Sequence, residues 1–100
     1  MITTPDTIKL RTGDIVLFDS PDILVEPRLN TVTGETTARI DCLDANSISV
    51  GTIEYYYTKA EVAAFTGTGA NDAETYQDAV EQAVKDSLET INVSATFTIT

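Results

Sequence analysis

Histidine and tryptophan are absent from this 100-residue chain, cysteine occurs once, and only six side chains are basic. Without histidine there is no ordinary general base near neutral pH, and neither a serine nor a cysteine nucleophile has its usual partner. A single cysteine, Cys42, rules out an internal disulfide, and with no histidine beside it no four-ligand Cys/His zinc site can be built. No run of about 18 apolar residues is present to span a bilayer as a helix. Residues 1–6 show neither the charged nor the apolar region of a secretory signal, so the expected compartment is a cytoplasm. Sixteen acidic side chains against six basic ones give a net charge of −10 and a pI near 4.1, a balance that repels phosphate backbones and anionic membranes. Neither nucleic acid nor a membrane is therefore expected as a direct partner.

What is present suits a folded domain. Apolar residues make up 42% of the chain and charged residues 22%, too apolar a mixture for a disordered tail. At this length one domain with one core is expected over residues 1–100, with no repeat or compositional break to divide it. The first half is rich in Ile, Val, Leu and Thr and is cut by Pro5, Pro21, Pro27, Gly13 and Gly34, the texture of a β meander. Strands are expected over 7–11, 14–19, 23–26, 28–32 and 36–43, with Thr33, Gly34 and Glu35 as a hairpin turn. The continuous apolar run 15–18 suggests a strand buried on both faces.

Over residues 48–57 the apolar parity switches from Ile48 and Val50 to Ile53, Tyr55 and Tyr57, which places a β-bulge at Gly51. Thr58 and Glu61 then form a capping box, with Tyr57 and Val62 at the hydrophobic-staple positions, and start a short helix that ends by Gly67. Asn71 and Glu74 can cap a second, longer helix over about 72–89. One stripe of it is Tyr76, Val80, Ala83, Val84 and Leu88, and the opposite side is mainly charged or amide. Strict alternation of Ile91, Val93, Ala95, Phe97 and Ile99 with polar residues then predicts a C-terminal strand. The expected fold class is α+β: a mostly antiparallel sheet or sandwich, with one short and one long helix before the last strand.

Candidate chemistry is sparse, and no enzyme, cofactor or metal is expected. Cys42 sits in an alternating strand and reads as a core residue. Carboxylate pairs arise by chance among sixteen acids, and a chain this short leaves little room for a sugar cleft. Asp41, Asp44 and Asn46 could offer oxygens to a cation, but Ser49 occupies the position where a calcium loop needs glycine, so turn chemistry is the better reading. Gly67, Thr68 and Gly69 resemble a phosphate cradle, yet they follow a helix, lack a lysine and lead into Asp72 and Glu74. Asn92, Val93 and Ser94 match the N-glycosylation triplet in the unfavourable setting of a strand.

Protein contact is the remaining expectation. Three consecutive tyrosines, Tyr55 to Tyr57, alternate between sheet faces, so one ring, Tyr56, should point away from the core. The last ten residues carry no charge or proline to block pairing with another chain, which makes Ile91, Val93, Phe97 and Ile99 further interface candidates. At Tyr57, Thr58, Lys59, Ala60, Glu61 and Val62 the chain resembles a segment met in tail and other structural proteins of tailed bacteriophages. Its threonine-rich, histidine-free, acidic character is similar to that of small virion proteins. The resemblance implies a non-enzymatic virion component, such as a capsid decoration, connector or tail subunit. Such a subunit assembles in the host cytoplasm with copies of itself or other virion proteins, as a homo-oligomer or part of a larger symmetric assembly. A different reading of the same composition is an inhibitor whose acidic helix surface, Glu74, Asp78 and Glu81, mimics nucleic acid toward a basic protein.

Overall fold

The structure, a computed structural model, describes residues 1–10, 19–64 and 72–100. Its elements in chain order are β1 (Ile2–Thr3), β2 (Asp22–Leu29), β3 (Thr36–Leu43), β4 (Ser49–Tyr57), α1 (Lys59–Ala64), α2 (Asp72–Ile91) and β5 (Thr98–Ile99). The strands form a single five-stranded sheet in the order β4-β3-β2-β1-β5, with every neighbouring pair antiparallel. This is the α+β class expected from the sequence. Of the strands expected near the start, 14–18 lies outside the described residues, as do Arg11, the glycines at 67 and 69, and Asn71. Ile8 and Leu10, from the strand expected over 7–11, are buried in the core.

β3 occupies the expected span, 36–43. The two strands expected at 23–26 and 28–32 are instead one, β2, which runs through Pro27 and stops at Leu29. Proline is tolerated there because β1 pairs only with Asp22 and Ile23, so among the described residues no ladder on that side reaches Pro27 to need its missing N–H. The strand ends early because the Asn30 side-chain oxygen accepts the N–H groups of Val32 and Thr33 at 3.0 and 3.2 Å, taking them out of the ladder. The connection is accordingly a six-residue loop over 30–35, closed by Asn30 N–H to Glu35 O and Gly34 N–H to Asn30 O, both 2.8 Å, and not a three-residue turn.

The bulge forms beside Gly51. Cys42 faces Gly51 and Leu43 faces Ser49, leaving Val50 as the extra residue and re-aiming the strand so that Ile53, Tyr55 and Tyr57 turn toward the core. At the end of β4 the capping box is made in full: Glu61 N–H donates to Thr58 Oγ1 at 3.2 Å, and Thr58 N–H donates to Glu61 Oε1 at 3.0 Å.

α2 lies on one face of the sheet. Val80, Val84 and Leu88 are wholly buried against Ile2, Ile23, Ile40 and Cys42, with Tyr76 and Ala83 packed on the same cluster. Burying three such aliphatic side chains removes apolar area worth roughly 1.5–3 kcal/mol each. Polar contacts also fix the helix on the sheet, among them a hydroxyl hydrogen bond of 2.7 Å shared by Tyr76 and Thr36 and a bond of 3.0 Å that Gln77 donates to the carbonyl of Val25, beyond the reach of β1. Glu81, placed by the sequence on the solvated side, is instead buried, and its carboxylate accepts the Met1 ammonium at 2.6 Å.

The C-terminal segment departs from the alternating reading. α2 continues through Ile91, so Ile91 is helical. Asn92 then ends the helix, with its backbone N–H and its side-chain amide both donating to Leu88 O at 2.8 and 2.9 Å. The chain turns, with Ala95 N–H to Asn92 O at 3.0 Å, and only Thr98–Ile99 pair, with β1. Alternation holds from Ala95 onward, where Ala95, Phe97 and Ile99 face the core. It fails before that because the helix's backbone and Asn92 bonds outweigh a periodicity that a helix end can satisfy equally well.

Candidate interaction surface

With α2 on one face, the other face of the sheet is the one displayed to solvent. The period of two sends Leu24, Glu26 and Arg28 of β2 to it, and β3 and β4 contribute in register. Cross-strand pairing produces three rows: Leu24, Asp41, Thr52; Glu26, Arg39, Glu54; and Arg28, Thr37, Tyr56. Each row spans neighbouring strands, so its members stand about 5 Å apart. Arg39, set between Glu26 and Glu54, also lies 3.6 Å from an Asp41 oxygen, and Thr52 donates to the other Asp41 oxygen at 2.7 Å.

Tyr56 is 69% exposed at the end of this face, and its hydroxyl donates to Glu54 at 2.8 Å. Its neighbours in sequence point the other way. Tyr55 donates to the Leu10 carbonyl, and Tyr57 is buried with its hydroxyl 3.3 Å from that of Ser87. Thus Tyr56 is the ring of the three that leaves the core.

The other interface candidates are dispersed. Val93 is 86% exposed in the turn after α2, and Ile91 is half-buried at the end of that helix. Phe97, at 7% exposure, is part of the core and has no surface to offer a partner. Ile99 is half-buried and opposite Ile2 in β5, which is two residues long at one end of the sheet. A continuous docking strand over 91–100 is not formed. Arg28, in the Tyr56 row, and Arg39, in the next row, are not singled out by the sequence; their parity with Leu24 and Asp41 is the available signal.

Candidate chemical groups are occupied structurally. Burial, with a smaller contribution from the Asp41 charge, pushes the Cys42 thiol up to about 12, so it is neither a thiolate nor accessible. Asp44 is a turn acceptor: its Oδ1 takes the N–H groups of Asn46 at 2.8 Å and Ile48 at 3.0 Å. Among the described residues no three Asp, Glu or Cys side chains gather as a metal site. Asn92 of the glycosylation triplet uses its side chain fully, accepting Lys9 N–H at 2.7 Å and donating to Lys9 O and Leu88 O.

The carboxylates concentrate elsewhere. α2 contains six acids and one base, whereas β2, β3 and β4 together send four acids, Asp22, Glu26, Asp41 and Glu54, and two bases, Arg28 and Arg39, to the open sheet face. On α2, Glu81 is buried with Met1 and Glu89 pairs with Lys85 at 2.8 Å, which removes one of the three acids expected to form a mimic surface. Comparison of the chain with protein-family models, with curated proteins and with solved structures finds no match.

Proposed function

We propose that this protein is a non-enzymatic structural or assembly subunit that works by protein–protein contact through the open face of its sheet. The observation that carries the reading is the face itself. It presents a 69% exposed tyrosine in one cross-strand row with Arg28, on a face that carries four acids and two bases where α2 carries six acids and one base. Tyrosine and arginine are the residue types that most often anchor interfaces. In a chain of net charge −10, a second copy or an acidic neighbour approaches this face at lower electrostatic cost than it approaches α2. The resemblance of residues 57–62 to tailed-phage structural proteins supports a virion setting, with copies of the same chain or other virion proteins as partners. The inhibitor reading has less behind it, because Glu81 is not on a displayed surface.

The test is the solution mass by light scattering over a range of concentrations, at low and high salt, for the parent chain and for Tyr56→Ala. A defined oligomer that survives high salt and is weakened at least tenfold by Tyr56→Ala supports the proposal. A parent chain that stays monomeric under all conditions, and does not bind purified particles or their components, overturns it.

A further inference from the structure

A cleft of about 280 Å³ opens where α1 meets α2. Three alanines, Ala64, Ala79 and Ala83, give it an apolar strip, and the Tyr57 and Ser87 hydroxyls and the Gln82 amide also line it. Glu61 and Asp86 stand on it, one from each helix, and among the described residues no basic side chain does. The capping box holds Glu61 in the first turn of α1, while Asp86 is steadied by the Gln82 amide at 2.9 Å. The placement of the two helices, not spacing along either, therefore brings the acids to one opening. Among the described residues each carboxylate has one oxygen engaged, Oε1 of Glu61 and Oδ1 of Asp86, so each retains an acceptor. The Tyr57 hydroxyl senses both acids. Its pKa is raised first by burial and further by the charges of Glu61 and Asp86, against a lowering by the Ser87 hydrogen bond.

From this geometry we infer that the cleft receives an arginine side chain from a partner protein, its stem along the alanines and its guanidinium between Glu61 and Asp86. A planar fork with donors on several edges suits two carboxylates that come from different helices, and guanidinium sheds water more readily than ammonium. An anion is excluded by charge. A metal would have two carboxylates where hard cations take six or more oxygens. The cleft is on the helix side of the sheet, so its assignment is independent of the Tyr56 face and can fail without affecting it.

The experiment titrates the ¹⁵N-labelled full chain, at low ionic strength, with Nα-acetyl-arginine methylamide, and in parallel with the lysine and alanine analogues. Saturable shifts are expected at the amides of Tyr57, Glu61, Ala83, Asp86 and Ser87, with an affinity on the order of millimolar for so small a probe. The lysine analogue should bind several-fold more weakly and the alanine analogue not at all. Glu61→Gln and Asp86→Asn together should weaken the arginine probe about tenfold. Both keep a side-chain carbonyl for the existing hydrogen bonds, so the fold is retained. Shifts that do not saturate, that are spread over the surface, that are equal for lysine, or that persist unchanged in the double variant would overturn the inference.

Discussion

At the scale of single residues the fold depends on a few positions where backbone or burial leaves little choice. Gly34 has φ of +78°, and a Cβ added there would lie 2.9 Å from Lys59 Cγ. The lysine stem can move aside, but an L residue held at that φ remains strained, so Gly34→Ala is expected to cost about 1–2 kcal/mol. Equilibrium urea unfolding should show a lower midpoint at unchanged slope. Cys42 sets a different expectation. Its thiol is raised from an ordinary value of 9.0 to about 12 in the folded protein, so between those values the unfolded chain releases the proton and the folded chain keeps it. The contribution to stability is thus complete below about pH 9 and is lost as pH rises toward 12. Thermal unfolding of the parent chain should fall more steeply from pH 8.5 to 10.5 than that of Cys42→Ala. Alkylation of Cys42 at pH 8 should proceed no faster than unfolding. Equal pH slopes for the two chains would contradict this assignment.

Among the elements, those whose local chemistry and tertiary setting agree were the ones legible in the sequence. The 36–43 strand alternates, the Thr58 and Glu61 box is self-contained, the Gly51 parity switch has one simple explanation, and the α2 stripe is continuous. What sequence alone could not resolve depended on partners remote in the chain. Pro27 lies past the two residues of β2 that pair with β1, Glu81 is paired with the Met1 ammonium, and the end of α2 at Ile91 is followed by Asn92 bound to both Leu88 and Lys9. For the candidate surface, the outward ring at Tyr56 was readable from alternation, whereas its row with Arg28 required the β2-to-β3-to-β4 register. Asn92 provides the test at this scale. Asn92→Ala removes three side-chain hydrogen bonds and strands the amide and carbonyl of Lys9 at the end of α2, which should cost about 1–3 kcal/mol in urea unfolding. Truncation after Thr90 removes Phe97 from the core and β5 from β1, and should abolish cooperative unfolding altogether, as read by circular dichroism.

For the molecule as a whole the dominant quantity is charge. Net −10 on 100 residues means that folding brings like charges together, and the uneven arrangement concentrates this on α2, where six acids face one lysine. The ion pairs of Lys85 with Glu89 and of Arg39 with Asp41 are at least partly exposed and offset it little, by about 0–1 kcal/mol each. The pair between Met1 and Glu81 differs, because the carboxylate side chain is 10% exposed and the same ammonium also lies 3.2 Å from Thr100 O, so one contact joins β1, α2 and the chain's end. Added salt screens the diffuse repulsion over a Debye length of about 10 Å at 0.1 M, but screens a short, largely buried pair much less. The melting temperature of the parent chain should therefore rise when sodium chloride is increased from about 10 to 500 mM. Glu81→Gln relieves one negative charge yet leaves the ammonium without its anion. It should be less stable than the parent by about 1–3 kcal/mol at both salt concentrations. If Glu81→Gln is instead more stable than the parent at low salt, repulsion along α2 outweighs the ion pair, and the helix is held to β1 by its apolar stripe alone.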